Sequence, residues 1–168
     1  MEGAEAQFEA DIYSMPAVFM LKAKIPDDLV DNLNDYLDEL RKDKKRESLA
    51  STLVGQIHQG EQLNIPFTED ERITPYARYL TNMGATYINH FSQATGVQYK
   101  KQKHVAVDEL WSVHSFEGDY NPIHDHGTKT MMGISTTTWT KVPQQILDLP
   151  TSGTPEYSLY NDSGNCDG

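Results

Sequence analysis

The hydrophobic period of this chain changes once, near Lys103, and that change limits what it can fold into. Before it, apolar residues recur at three- and four-residue steps. Leu29, Leu33, Tyr36, Leu37 and Leu40 form one such set, and Tyr76, Tyr79, Leu80, Met83, Tyr87 and Phe91 a second. Each set lines one face of an α-helix. After it the step is two: Val105, Val107, Trp111 and Val113 fall on one face of an extended segment, and Leu110, Ser112, His114 and Phe116 on the other. Helices followed by strands predict an α+β architecture with the helices packed on a mostly antiparallel sheet. A length of 168 residues suits one domain. Residues 1–102 then form a helical support region, and residues 103–168 the sheet.

Local signals set the bounds of these elements. Ala10 to Lys24 carries Ile12, Tyr13, Val18, Phe19, Met20 and Leu21 around Pro16, which predicts one or two short strands. Pro26-Asp27-Asp28 opens the first helix, since proline fits the first turn and acids favour the positive end of the helix dipole. The second helix is expected over Thr74–Thr95, with Thr74 as N-cap, Pro75 just inside and Gly96 closing it. His90 borders its apolar stripe as a surface or packing residue. Leu53 to Ile57 reads as a strand or an extended loop. Glu117-Gly118-Asp119 is a turn, and Tyr120 to His126 is again extended because Asn121 precedes a proline. The β-branched run Met131 to Thr140 predicts a further strand. Beyond Lys141 periodicity fades, and Thr151 to Gly168 reads as loop. No internal repeat is present.

Composition excludes several classes. The net charge of -11 opposes a duplex-binding or membrane-surface role. The basic run Arg41-Lys42-Asp43-Lys44-Lys45-Arg46 reads as a solvated helix end that complements the dipole. No apolar run approaches the roughly 18–20 residues that cross a bilayer. The acidic start Met-Glu-Gly-Ala-Glu-Ala lacks the basic and apolar regions of a secretory signal. The single Cys166 forms no internal disulfide, which fits a reducing, cytoplasmic setting.

The chemistry is concentrated between Trp111 and Gly133, around Asn121-Pro122-Ile123-His124-Asp125-His126-Gly127. On an extended backbone residues i and i+2 point the same way, so His124 and His126 converge while Asp125 points away. Two neutral imidazoles suit iron(II), zinc, copper or nickel. Pro122 stiffens the approach and Gly127 allows a sharp turn after the pair. Were the Glu117–Asp119 turn to make a hairpin, His114 would face the same side as His124, about 7–8 Å away. Its expected role is structural or supporting rather than ligating. Trp111 and Phe116 are core-packing residues that would also wall an apolar site.

The run Leu110-Trp111 through Gly118-Asp119-Tyr120-Asn121-Pro122, His124, His126 and Gly127 resembles the metal-binding segment of a group of 2-oxoglutarate/Fe(II) oxygenases. That group is distantly similar to prolyl hydroxylases and frequent in marine bacteriophages. The resemblance covers about residues 108–135. It implies a jelly-roll (double-stranded β-helix) sheet, Fe(II) and 2-oxoglutarate as cofactors, and hydroxylation of a small-molecule or peptide substrate. It also implies a cytoplasmic location, in the host cytoplasm if the chain is phage-encoded. His124 matches the first metal ligand of the superfamily pattern, and His126 takes the place of its acid, with Asp125 as the alternative. Tyr120 stands one residue further from the first histidine than the tyrosine that contacts 2-oxoglutarate in prolyl-hydroxylase-like enzymes.

The pattern is incomplete. An eight-stranded jelly roll takes roughly 64–96 residues at the usual strand spacing, and the chain has 65 from His104 onward. After His126 there is no histidine, and Lys129 and Lys141 are the only basic residues. The distal histidine and the arginine that grips 2-oxoglutarate therefore have no counterpart. The expectation is an N-terminal part of such an enzyme, inactive alone, that pairs its open sheet edges as a homo-oligomer. Two other readings stand beside it. A cupin motif fits the spacing from Gly118 to His126 but wants a glutamate where Thr130 and Met131 stand. A metal-free structural protein would keep only part of the fold.

Overall fold

The protein is described from a computed structural model, over residues 10–15, 18–53, 55, 57–97, 105–122, 133–151 and 153. It is a mixed α+β chain with two two-stranded antiparallel sheets. The order is β1 (Ala10–Met15), β2 (Val18–Ala23), α1 (Asp27–Lys42), a 3-10 turn (Ala50–Thr52), β3 (Glu61–Asn64), α2 (Thr74–Thr95), β4 (Trp111–His114) and α3 (Gln144–Asp148). The chain divides into two compact units, Met1–Ser135 and Thr136–Gly168. Among the described residues no helix is long and apolar enough to cross a membrane.

The two long helices form where the apolar stripes predict them. From α1, Leu33, Tyr36 and Leu37 are buried; from α2, Tyr76 and Leu80 meet them, with Ile65 and Ile73 closing the cluster. Asp27 and Asp28 lie in the first turn of α1 and Arg41 and Lys42 in the last, each sign matched to the dipole. Gly96 ends α2, its amide donating to the Ser92 carbonyl at 2.9 Å. The start of α2 differs from expectation. Thr74 is its first residue, the cap position is Ile73, and no side chain caps the end. Ile73 is wholly buried, and its amide already donates to the Asp70 carbonyl at 3.1 Å. A preformed turn seated in the core thus replaces a polar cap.

The β1–β2 hairpin pairs Ala10 with Ala23 through Met15 with Val18. It is tied to α2 by polar contacts that its apolar composition hides. The Tyr79 hydroxyl donates to the Lys24 carbonyl at 3.0 Å and the Tyr87 hydroxyl to the Phe19 carbonyl at 2.9 Å. Phe19 meets Phe91 edge to face at 5.0 Å. Burial pushes the Tyr79 phenol above its ordinary pKa, so it remains a donor at any ordinary pH.

The second sheet departs most from the sequence reading. Its strand β3 comes from the region expected to be helical support, and Leu53–Ile57 contributes no strand among its described residues. Alternation over Val105–Phe116 yields only the four residues of β4. Ahead of it Val107 and Leu110 pack against the helical cluster, and the Leu110 carbonyl still accepts the Ile65 amide at 2.9 Å. Described residues 133–140, within the expected strand Met131–Thr140, contain no strand, and α3 forms in the stretch beyond Lys141 where the sequence shows no clear periodicity. In the second unit Trp139, Ile146 and Leu147 are exposed, so among the described residues these apolar side chains form no layer that would hold a β-branched segment extended.

Candidate functional site

The approach to the histidine pair is built from β4 and the turn after it. In the antiparallel register Glu61 lies opposite His114 and Leu63 opposite Ser112. Leu63 is almost wholly buried, and Ser112 is the buried polar residue of β4. The Ser112 hydroxyl and His114 Nε2 lie 3.0 Å apart and satisfy each other. The face carrying Ser112 and His114 therefore turns inward, while Val113 is half exposed. The inward face thus combines buried Leu63 and core-packed Leu110 with a satisfied serine–histidine pair.

Asp119 fastens the turn. Its amide donates to the Phe116 carbonyl at 3.0 Å, and its Oδ2 accepts the Phe116 amide at 2.9 Å. Its Oδ1 accepts two amides from a distant loop, His58 at 2.7 Å and Gln59 at 3.2 Å. One carboxylate thus joins residues 58–60 to the turn 116–119. The apposition is close enough to demand glycine. A Cβ on Gly60 would overlap the His114 carbonyl and stand 2.6 Å from Asp119 Oδ2; one on Gly55 would overlap the Tyr120 carbonyl and stand 2.8 Å from Asn121 Cα. Backbone therefore approaches backbone closely at two points, Gly60 against His114 and Gly55 against Tyr120, where a side chain does not fit.

The Phe116 amide is the main reason the Asp119 carboxyl lies below its ordinary pKa; burial opposes it, and the amides of His58, Gln59 and Gly60 add to the lowering. Because the folded value is depressed, the stabilisation is complete above the unfolded value of about pH 4 and is lost as pH falls through the folded one. Amide protection at His58 and Gln59 is expected to hold at pH 5 and collapse at more acid pH. Asp119→Asn should already lack it at pH 5. Equal protection in the two proteins at pH 5 would refute the clamp.

A charged cluster borders the same strands. Arg46 Nε donates to Glu61 Oε1 at 2.9 Å, and Arg46 Nη2 stands 2.7 Å from the same oxygen. Arg41 Nε approaches Glu61 Oε2 at 3.6 Å, with its guanidinium 5.7 Å over the Phe116 ring. Burial raises the Glu61 pKa, but the hydrogen bond and charge of Arg46, with those of Arg41, outweigh it and hold the carboxyl below its ordinary value. The basic run at the end of α1 is therefore divided. Arg41 and Arg46 secure β3 to α1, while Lys42, Lys44 and Lys45 remain exposed as a solvated helix end does.

Of the residues expected to carry chemistry, Tyr120 is described and is largely exposed. His124, Asp125 and His126 lie outside the described residues, as does the extended run beyond Pro122. His114 is engaged by Ser112, which suits the supporting role expected of it. His58 and His90 are exposed. Sequence reading missed Asp119 as a clamp and Glu61 as the anchor of Arg41 and Arg46. The signal for the first is the pair of glycines, Gly55 and Gly60, in a segment otherwise hard to assign.

The donor chemistry of a histidine pair suits iron(II), but two imidazoles do not make a complete ligand set. Among the described residues no group of three His, Cys, Asp or Glu side chains is placed to hold a metal ion. Comparison of the chain with protein-family models, with curated proteins and with solved structures gave no match.

Proposed function

We propose that the chain carries the first two ligands, His124 and His126, of a non-haem iron(II) centre of the 2-oxoglutarate oxygenase type. The fold around them would be of the jelly-roll type, and the reaction hydroxylation of a small-molecule or peptide substrate. The observation that carries the reading is the Gly118–Gly127 motif with its i, i+2 histidines. The clamped backbone supports it: β4 and the Asp119 turn hold the chain up to Pro122, two residues before His124, and a metal site needs ligands entering from such a rigid element. Tyr120, exposed beside this entry, is the candidate for contact with 2-oxoglutarate.

Iron(II) would supply oxygen activation, and the chain's own part is to bind, orient and exclude water. The test is anaerobic titration with Fe(II) followed by 2-oxoglutarate. A weak visible charge-transfer band that needs both additions is the expected result. Tight metal binding with no band would instead favour the cupin-like reading. No metal bound at all would overturn the metal site.

A further inference from the structure

We infer that the basic turn at the end of α1 and the Phe116 ring beside it bind a short stretch of single-stranded nucleic acid. Phosphates would lie on Lys42, Lys44 and Lys45, and a base would stack against Phe116. The inference uses no part of the histidine pair and stands apart from the proposed metal site.

The turn is shaped to present cations. The Asp43 carbonyl accepts the Arg46 amide and Arg46 Nη1, each at 3.2 Å, and Asp43 Oδ1 accepts the Lys45 amide at 2.8 Å. Residues 43–46 thus close a turn with Lys44 and Lys45 at its centre, and Asp43 directs its carboxylate to backbone rather than to an ammonium. Acids outnumber bases 25 to 14 in this chain. Yet Lys42, Lys44 and Lys45 are all exposed, and among the described residues no carboxylate pairs with them. The helix dipole does not account for them. It amounts to about half a charge and fades within the last turn, which holds Arg41 and Lys42; Lys44 and Lys45 lie beyond it. Arg41 and Arg46 share Glu61, which fixes the turn to β3. Arg41 also stands over the Phe116 ring, 5.7 Å from its centre, and so sets a residue that is 45% exposed against the cations. An exposed ring beside unpaired cations is the combination that single strands use, phosphates meeting the charges and an unstacked base meeting the ring. An acidic peptide offers the ring nothing, and a duplex keeps its bases stacked. The rest of the chain is more acidic still than the net charge of -11, and it repels a long polyanion. A short strand touches the patch alone.

The probe is a fluorescein-labelled oligothymidylate of about eight nucleotides, within the usual site size, and the full-length protein is titrated against it by fluorescence anisotropy. Three phosphates held at roughly 0.7 counterions each predict a log–log salt slope of about -2 between ~50 and ~200 mM salt. Replacing Lys42, Lys44 and Lys45 together with alanine should abolish both the binding and the slope, and should leave the thermal midpoint unchanged because all three are exposed. Phe116→Leu keeps apolar bulk but loses the ring, and is expected to weaken binding about tenfold, on the scale of one base–aromatic stack, with the slope unchanged. Phe116→Trp should stay within a fewfold of the wild type. The stack is also tested without a variant: an abasic strand of the same length should bind the wild type about as weakly as the oligothymidylate binds Phe116→Leu. No binding by the wild type, or equal binding by the triple-alanine protein, overturns the site. Equal affinity for the abasic strand overturns the stacking role of Phe116. Equal affinity for polyglutamate, or for a duplex of the same length, overturns the single-strand assignment, in favour of an acidic protein partner in the first case and of a purely electrostatic patch in the second.

Discussion

Replacing His124 with alanine is expected to abolish iron(II) binding, and His126→Ala to do nearly the same. A ligand lost outright should cost more than the roughly 10–100-fold that follows loss of a supporting contact. The two imidazoles are interdependent, because one remaining histidine binds a divalent ion no better than a surface histidine does. Asp125→Ala separates two versions of the site. With His126 as second ligand, alanine at 125 leaves binding within a fewfold of the wild type. A loss in Asp125→Ala as large as in His124→Ala would move the second ligand to the acid. All three substitutions fall downstream of the clamp in sequence, and the thermal midpoint without metal should be unchanged. Equilibrium dialysis under anaerobic conditions reads the affinities.

Truncation of Ile73 to alanine is the second large effect, and it falls on stability. Ile73 is fully buried at the cap position of α2 and belongs to the cluster joining α1 to α2. Removing a buried isoleucine side chain to Cβ typically costs about 2–5 kcal/mol, the transfer term plus the cavity left behind. A domain holding about 5–15 kcal/mol in total would lose a large share. The neighbouring Thr74→Ala is the informative contrast. A threonine acting as N-cap costs about 1 kcal/mol when removed, whereas an exposed first-turn threonine with no capping bond should cost less than about 0.5 kcal/mol. Urea unfolding of the two variants is expected to show a large shift for Ile73→Ala and almost none for Thr74→Ala. The reverse order would mean that the polar cap, and not the buried turn, starts α2.

The contrast at Ile73 and Thr74 shows where sequence was legible. The bodies of α1 and α2 were readable because an apolar stripe needs only local spacing, and the bounds Thr74 and Thr95 followed from flanking proline and glycine. The cap itself was misread because Thr74 satisfies a local rule, while Ile73 is placed by a core assembled from three separated segments. The strand β3, Glu-Gln-Leu-Asn, has little intrinsic preference for extension. It is extended because Leu63 is buried opposite Ser112 and because Glu61 is held by two arginines. None of those partners is near in sequence. β4 keeps its alternation, with Ser112 and His114 on the face that Leu63 and Leu110 make inward, and their mutual contact satisfies the polar groups carried there. The strand expected at 131–140 rested on β-branched composition alone, which holds a segment extended only when a layer covers it.

The candidate site divides in the same way. The i, i+2 histidines are a local pattern, so the proposal of His124 and His126 as a donor pair rests on sequence alone, and both lie outside the described residues. Asp119 was readable only as a turn residue, because its decisive partners, His58 and Gln59, lie about sixty residues upstream. The role of His114 was partly legible. A histidine on the inward face of a strand, two residues from a serine, has a neighbour on its own side, and the structure brings the two within 3.0 Å.

The central claim is that His124 and His126 together bind iron(II). Iron K-edge absorption fine structure of the anaerobically loaded protein counts the imidazoles on the metal directly. The account predicts two imidazole scattering patterns in the wild type, one in a His126→Ala protein forced to bind by excess iron, and two in Asp125→Ala. A first shell of oxygen atoms with no imidazole signal in the wild type would contradict it.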